Sequence, residues 1–226
     1  MSDLLERPVW SALTGRQSPL SLTEGAAVRF APPYGLFAAV PDYSPGNLSD
    51  LAALVRSHGD VALVEAEPPP AIPGLAVRSQ ALCWQMVAEI PSPVGEPAFE
   101  MTPLGEADAA EMLALATLTA PGPFFSRTHE LGAFIGVRQG GALIAMAGER
   151  MQPAGFTEVS GVCTHPDHRG RGYAAGLILA VAARVRARGE IPFLHSYAAN
   201  RGAIALYEAL GFEFARELTM TTLTAG

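Results

Sequence analysis

One stretch decides the fold of this chain: Thr157-Glu-Val-Ser-Gly-Val-Cys-Thr-His-Pro-Asp-His-Arg-Gly-Arg-Gly-Tyr-Ala-Ala175. Its first part, Thr157 to Thr164, is rich in β-branched residues and is followed by Pro166, which cannot continue a strand ladder. Beyond Tyr173 the apolar residues recur at spacings of three and four, which is typical of one face of an amphipathic helix. The stretch is therefore predicted to form a strand, a glycine-rich turn and the start of a helix.

The turn itself has the composition of an anion-binding site. Gly170 and Gly172 allow positive φ and let the backbone approach a ligand closely. The first amides of a helix lack intrahelical partners and carry partial positive charge, so they bind phosphate. Arg169 and Arg171 add forked donors that suit phosphate oxygens. An ordinary glycine-rich connection with two solvated arginines is the alternative.

The order of these residues differs from that of other phosphate loops. It has neither the Gly-Lys-Ser/Thr ending of a P-loop nor the Gly-x-Gly-x-x-Gly of a dinucleotide fold. Instead, Arg169-x-x-Gly172-x-Ala174 resembles the acetyl-CoA signature of the GNAT superfamily of N-acetyltransferases. A second stretch is similar to another signature of that family, Asn200-x-x-Ala203-x-x-Leu206-Tyr207-x-x-Leu210-Gly211-Phe212. Together with an added N-terminal half, the turn looks most like the glycine N-acyltransferase-like branch.

The predicted elements of the C-terminal part follow the order of that superfamily, so the resemblance covers roughly residues 97–226. The predicted fold class is α/β (α+β), a GNAT fold with a mixed, splayed central sheet, preceded by a smaller α/β N-terminal domain. The splay is expected between the strands at 157–164 and 191–198. Strands are also predicted at 99–104, 134–138, 142–149 and 212–223, and helices at 105–117, after 173, and at 200–211.

Residues 1–95 are predicted to form the smaller α/β domain, or a degenerate GNAT-like half. Strands are expected there at 35–40, 61–65 and 80–90, with a helix at 50–58. Residues 91–97 are rich in proline and glycine and indicate a linker. The predicted domains are therefore 1–95 and the catalytic, acyl-CoA-binding 96–226, and the role of the first is left open.

Composition excludes several classes of protein. The formal net charge of −7 disfavours nucleic-acid binding, which needs a basic surface. No apolar stretch reaches the ~18 residues of a membrane span, and the N-terminus lacks a signal-peptide pattern, so a cytoplasmic location is expected. The only cysteines, Cys83 and Cys163, are too few for a disulfide framework or a zinc site and are predicted to be buried. No metal is expected, and oligomeric state is not encoded.

The resemblance implies acetyl-CoA, or another acyl-CoA, as co-substrate. The backbone amides from Gly170 to Ala175 would hold its pyrophosphate, and the strand edge at Val162–Thr164 would pair with the pantetheine arm. Asn200 would contact the pantetheine region, or cap the helix that follows it. The predicted cofactor-binding residues are Val162, Cys163, Thr164, Arg169, Gly170, Arg171, Gly172, Tyr173, Ala174, Ala175, Asn200 and Tyr207.

Two catalytic residues are predicted for direct attack of a primary amine on the thioester in a ternary complex. Glu158 lies 11 residues before Arg169, which resembles the position of the general base in histone acetyltransferases of this superfamily. Tyr207 matches the family tyrosine that protonates the departing thiolate. An exposed strand acid and a core tyrosine are the alternatives, and His195 is the reserve candidate for the base.

The amine acceptor is expected to be a small molecule. Acetylation of a protein is a further alternative, for which an open acceptor groove rather than an enclosed pocket is expected. The alternative function is a catalytically silent acyl-CoA-binding sensor or interaction protein, in which the cofactor site persists without turnover.

Overall fold

The computed structural model describes residues 3–89 and 98–226. The helices within these ranges are α1 Pro8–Leu13, α2 Pro45–His58, α3 Ala109–Thr119, α4 Tyr173–Ala187 and α5 Arg201–Ala209. The strands are β1 Ser21–Glu24, β2 Ala27–Phe30, β3 Ala38–Ala39, β4 Val61–Glu65, β5 Leu75–Val87, β6 Thr102–Leu104, β7 Phe134–Gln139, β8 Ala142–Glu149, β9 Phe156–Thr164, β10 Ile191–Tyr197 and β11 Glu213–Ala225.

A mixed eight-stranded sheet organises the described residues, in the order β4-β11-β5-β10-β9-β8-β7-β6. The pair β9–β10 is parallel, and the other neighbouring pairs are antiparallel. A three-stranded sheet, β1-β2-β3, lies beside it. The helices and this mixed sheet confirm the predicted GNAT fold.

The two faces of the large sheet are covered by different parts of the chain. Apolar residues of α4, among them Leu177, Ile178 and Val181, pack in a core that includes Leu194 of β10. The neighbouring Phe193 belongs to a second core with α1 and β2. Because successive side chains of a strand point to opposite faces, α4 and the N-terminal elements lie on opposite sides of β10.

The predicted splay is present between β9 and β10. Their pairing covers only Ile191↔Phe156, Pro192↔Thr157 and Phe193↔Glu158. Further along, β10 pairs with β5 instead, up to Tyr197↔Cys83. From Val159 onward the edge of β9 that faces β10 is therefore without a strand partner among the described residues, and its backbone is open to a ligand.

A bulge in β9 lies at this opening. The register with β8 shifts between Met146 and Gly148, so β9 carries one extra residue there. Gly161 takes a φ of +63° in the bulge, and a Cβ at this position would stand 2.9 Å from the ring of Phe134. Both the backbone conformation and the close ring require glycine.

The N-terminal part is joined to the large sheet more closely than a separate domain would be. β5 lies between β10 and β11, and β4 pairs with β11. The predicted linker at 91–97 and the end of the predicted strand at 90 lie outside the described residues. The division into 1–95 and 96–226 stays a prediction, although strands from both sides of it share one sheet.

Three N-terminal elements were not anticipated by periodicity, namely α1, β1 and β2. β1 and β2 are four residues long, too short to show a clear alternation. The predicted strand at 35–40 shrinks to β3, since its start forms only a single bridge, Phe37↔Ala62. In the described parts of the chain, no helix combines the length and apolar character needed to cross a bilayer.

Candidate active site

The glycine-rich turn places a helix N-terminus at the splayed edge of the sheet. Gly172 is the N-cap of α4, with a φ of +79°, and no side chain caps the helix. Nothing lies within 4 Å of a Cβ built on Gly172. Glycine is therefore needed here for its backbone conformation, and the first amides of α4 remain available for a ligand.

These amides open into a cleft of about 690 Å³. Thr164 and the turn form one wall, and the start of α5 forms the other. All the predicted cofactor-binding residues line this cleft: Val162, Cys163, Thr164, Arg169, Gly170, Arg171, Gly172, Tyr173, Ala174, Ala175, Asn200 and Tyr207.

Two buried polar atoms in this cleft have no hydrogen-bond partner among the described residues, Thr164 Oγ1 and His168 Nδ1. Buried polar groups are nearly always hydrogen-bonded, so such atoms in a cleft indicate a polar ligand. The cleft thus offers amide donors, two arginines and unpaired side-chain atoms along one surface, which fits a long, polar, phosphorylated molecule.

A second, smaller cavity of about 90 Å³ lies on the other side of Tyr207. It shares Pro121, Val162, Tyr197, Asn200 and Tyr207 with the cleft. Its remaining wall comes from distant parts of the chain: Phe37, Val64, Cys83, Gly122, Pro123, Arg150, Met151, Val159, Ser160, Gly161, His195, Ser196 and Met220.

Tyr207 stands where the two cavities meet, on α5. Its ring packs edge-on against Phe212, with ring centroids 6.3 Å apart. Burial raises the pKa of Tyr207 above its ordinary value, so the phenol keeps its proton at neutral pH. Asn200 Oδ1 accepts a hydrogen bond from the amide of Ala203 at 3.2 Å, so Asn200 does cap α5 while it also faces the cleft.

Glu158 lies in β9 and is fully buried. Its carboxylate accepts two hydrogen bonds from Arg150, Nε to Oε2 at 2.8 Å and Nη2 to Oε1 at 2.7 Å. It also accepts the amide of Met151 at 3.2 Å and contacts His195 Nδ1 at 2.8 Å. The alternative reading of Glu158 as an exposed strand acid is therefore wrong, because the side chain lies inside the sheet and is paired.

The environment of Glu158 makes it a weak base. Burial alone would raise its pKa, but the charge and hydrogen bonds of Arg150, helped by His195, lower the pKa well below its usual range. Glu158 does not line either cavity among the described residues. Its carboxylate is ionised at neutral pH, and contact with an amine would have to pass through a neighbour.

His195 is that neighbour, since it contacts Glu158 and also lines the smaller cavity. Its other nitrogen, Nε2, lies 3.2 Å from Nε2 of Gln85, and the same Gln85 amide donates to the carbonyl of Leu5 at 2.9 Å. Because the Gln85 amide N–H donates to Nε2 of His195, that nitrogen carries no proton. The imidazole proton therefore lies on Nδ1 and points toward Glu158. The buried chain Arg150–Glu158–His195–Gln85 holds the imidazole in one orientation.

Sequence reasoning did not find Arg150. A signal was available, because Arg150 and Glu158 stand at symmetric positions about the turn that joins β8 and β9, and Glu149 pairs with Val159 in that hairpin. Opposite charges at facing positions of a hairpin indicate a cross-strand ion pair. Phe37, Val64 and Gln85 carried no comparable signal, since their neighbours in space are remote in sequence.

Both cysteines are buried, as predicted, and both are free thiols. Burial raises the pKa of each thiol to about 11, so neither is a thiolate at neutral pH. Away from the cleft, Glu106, His129 and Glu130 are close enough together to hold a metal ion. Both carboxylate oxygens of Glu130 already accept hydrogen bonds from Arg127.

Comparison with known proteins agrees with this geometry. A sequence profile of the FR47-like protein family matches residues 134–220. A protein described as a GNAT-family acetyltransferase from Novosphingobium aromaticivorans has a solved structure that is 48% identical, with a TM-score of 0.90 and 100% of both chains covered. This chain belongs to the GNAT family. Acyl transfer to an acceptor is the general activity of GNAT acetyltransferases, which use acetyl-CoA.

More distant GNAT structures share the fold of this chain. A GCN5-related N-acetyltransferase from Kribbella flavida is 20% identical, with a TM-score of 0.63 and 99% of this chain and 96% of that chain covered. A GCN5-related N-acetyltransferase-like protein from Streptococcus suis is 15% identical, with a TM-score of 0.62 and coverage of 97% and 92%. The comparison with functionally curated proteins gives no match.

Proposed function

We propose that this GNAT-family chain transfers an acetyl group from acetyl-CoA to the primary amine of a small molecule, by direct attack in a ternary complex. The observation that carries the proposal is the meeting of two cavities at Tyr207: a long cleft with a helix N-terminus, and a small cavity behind it. A thioester in the cleft and an amine in the cavity would face each other there.

The cleft has the groups that the co-substrate needs. The amides of Gly170 to Ala175, with Arg169 and Arg171, would hold the pyrophosphate. The unpaired edge of β9 at Val162–Thr164 would pair with the pantetheine arm as an added strand and donate an N–H to the thioester oxygen. Asn200 would contact the same arm from α5.

The proton transfers follow from the two side chains that reach the reacting centre. His195 would accept a proton from the attacking ammonium at Nε2, which requires the Gln85 amide to release its 3.2 Å contact with that nitrogen, while Glu158 holds the imidazole through Nδ1. The free amine nitrogen would then bond to the carbonyl carbon as the carbon–sulfur bond breaks, and Tyr207 would donate its proton to the thiolate. The second proton that leaves the nitrogen would return to the tyrosinate, directly or through solvent. The base role predicted for Glu158 is thus proposed to act through His195.

The acceptor is proposed to be small because the cavity behind Tyr207 has a volume of only about 90 Å³. A protein acceptor would need a groove for an extended segment. The N-terminal part supplies Phe37, Val64 and Cys83 to this cavity, which gives it a role in acceptor choice. We also propose that the chain is similar to the glycine N-acyltransferase-like branch and that it is located in the cytosol.

Release of thiol from acetyl-CoA in the presence of amines tests this function. The full chain is incubated with acetyl-CoA and a panel of amino acids, polyamines, aminoglycosides and peptides, and acetyl-CoA binding is measured separately by calorimetry. Turnover with a small amine supports the proposal. Binding of acetyl-CoA without turnover for any amine would support the silent sensor, and absence of binding would contradict both.

A further inference from the structure

Gln85 has a buried oxygen without a partner, close to the histidine proposed as the base. Gln85 and His195 stand opposite each other on β5 and β10, and Gln85 is fully buried. Its Nε2 donates to the carbonyl of Leu5 at 2.9 Å and lies 3.2 Å from Nε2 of His195. Its Oε1 has no hydrogen-bond partner among the described residues. A buried amide oxygen is normally hydrogen-bonded, so this one needs a physical explanation.

The Leu5 carbonyl fixes the resting orientation of the Gln85 amide. A carbonyl oxygen only accepts hydrogen bonds, so the NH2 end of the amide must face Leu5. The same NH2 end then faces His195, and a donor there is compatible only with an Nε2 that carries no proton. On the other side of the ring, Nδ1 lies 2.8 Å from Oε1 of Glu158 and donates its proton to it. Gln85 and Glu158 therefore hold one tautomer of the imidazole.

We propose that Gln85 is a positioning residue that serves His195 before and after proton transfer, by half a turn of its side-chain amide. Before transfer, the NH2 group donates to Nε2. When the ammonium of the acceptor gives its proton to Nε2, one N–H bond breaks and one forms, and both ring nitrogens then carry protons. After half a turn about the Cγ–Cδ bond, Oε1 stands where NH2 was and accepts from the new N–H. This inference rests on the base role proposed for His195.

The half turn is compatible with the packing around Gln85. The two ends of a carboxamide have nearly the same shape, so their exchange needs no extra volume in a close-packed site. The contact that must be released is 3.2 Å, at the long end of N–H hydrogen bonds. The Leu5 carbonyl loses its donor, but Oε1 gains a hydrogen bond from a charged imidazolium, which is the stronger of the two. The unpaired oxygen is thus the acceptor that the protonated histidine needs.

The other ionisable groups around His195 keep their charge near neutral pH. Burial alone would raise the pKa of Glu158, but Arg150 and His195 lower it well below its usual range. Burial lowers the pKa of Arg150, but Glu158 raises it, so the guanidinium stays charged. Burial raises the pKa of the remaining ionisable side chains in the described cavity wall, which keep their protons: Cys83, Tyr197 and Tyr207. A change at Gln85 that follows pH in this range therefore reports on His195.

The first test is spectroscopic and needs no turnover. Nuclear magnetic resonance of the full wild-type chain follows the His195 ring nitrogens and the Gln85 NH2 protons from about pH 8 to about pH 5, on both sides of the ordinary histidine pKa. We expect the proton on Nδ1 at the higher pH, with close contacts between the NH2 protons and the His195 ring. These contacts should be lost once both ring nitrogens are protonated.

Gln80 is the internal control for these spectra. It lies on the same strand, its Nε2 donates to Oγ1 of Thr221 at 3.0 Å, and it lines neither cavity. Its NH2 contacts should persist across the same pH range, because no titrating group faces them among the described residues. The signals are assigned by their absence in Gln85→Met and Gln80→Met.

The second test measures turnover in two variants of Gln85. Gln85→Met keeps the length of the side chain without a donor or acceptor, so kcat should fall about 10-fold, the effect of one hydrogen bond to a charged group. Gln85→Glu presents carboxylates to both ring nitrogens and keeps His195 doubly protonated at about pH 8, so kcat should fall about 100-fold or more, the contribution of a general base. The KM for acetyl-CoA should not change. Gln80→Met and Gln80→Glu are the matched controls and should keep wild-type kcat.

The outcomes separate this role from the proposed function. A resting proton on Nε2, or NH2 contacts that persist when both ring nitrogens are protonated, overturns the half turn and leaves the acetyltransferase function standing. Wild-type kcat in folded Gln85→Met overturns the positioning role in the same way. Should the variants not fold, the wild-type spectra still decide. Absence of turnover by the wild type with every amine overturns the proposed function, and the catalytic role of Gln85 with it.

Discussion

The cleft proposed for the cofactor and the cavity proposed for the acceptor share Tyr207, but they are built in different ways. Most of the cleft comes from residues 162–175, a single strand end, turn and helix start. The cavity takes its wall from side chains spread between Phe37 and Met220. A diphosphate in the cleft would be bound by backbone amides in a local conformation, whereas a small acceptor in the cavity would be bound by side chains that only the folded chain brings together.

The largest expected effect concerns Tyr207, one of the two tyrosines shared by both regions. Tyr207→Phe should lower kcat by about 100-fold or more, the usual contribution of a positioned acid, because the leaving thiolate loses its proton donor. Calorimetry should show nearly unchanged acetyl-CoA affinity. Tyr43→Phe, which lines neither cavity, is the control. Unchanged turnover in Tyr207→Phe would show that the two regions do not meet at a catalytic acid.

The next prediction tests the backbone conformation of the glycine-rich turn in the cleft. Gly172→Ala forces a Cβ on a residue at φ +79°, at a cost of about 1–2 kcal/mol, and should weaken acetyl-CoA binding by about 10-fold as the amides shift. Gly189→Ala is the matched control, since Gly189 has φ +78°, open space around its Cβ position and no part in the cleft. It should lose similar stability and no affinity. Equal loss of affinity in both variants would remove the specific role of the turn.

The third prediction concerns the buried carboxylate beneath the acceptor cavity. Glu158 has a lowered pKa when folded, so its contribution to stability is full above its ordinary pKa of 4.5 and is lost as the pH falls toward the folded value. Glu158→Gln should unfold more easily at neutral pH, by about 3 kcal/mol, because it leaves Arg150 buried without its counter-charge.

The measurement is urea unfolding of both chains between pH 7 and pH 3. The wild type should lose stability on acidification faster than Glu158→Gln, so the two curves should converge. Parallel curves would mean that the carboxylate is not held ionised by Arg150. Turnover at each pH, where Glu158→Gln is folded, reports whether His195 still accepts the proton.

The smallest expected effect lies in the N-terminal wall of the cavity. Phe37→Leu removes the ring beneath Arg150 from the cavity wall and should raise the KM for the acceptor about 3-fold, the low end of the cation–π range. The KM for acetyl-CoA should not change. Phe30→Leu, a buried ring of the same core that lines neither cavity, serves as control. An effect on acetyl-CoA instead would mean that the N-terminal part serves the cleft.

Much of the fold could be predicted because its signals are local. β4 and β8 have the predicted bounds, and α4, predicted after residue 173, begins at Tyr173. The position of β5 could not be predicted. Its partners β10 and β11 follow it by more than a hundred residues in the chain, and nothing in a strand's own pattern names its neighbour.

The candidate site likewise has one part that could be predicted from the sequence and one part that could not. The sequence by itself determined the turn at Gly170 and Gly172, because positive φ and a helix N-terminus are properties of a few consecutive residues. Only the tertiary structure decided that Glu158 is fully buried and contacts His195, which lines the cavity. Charge pairing and burial depend on which strands lie side by side, and they place next to Glu158 the histidine for which we propose the role of base.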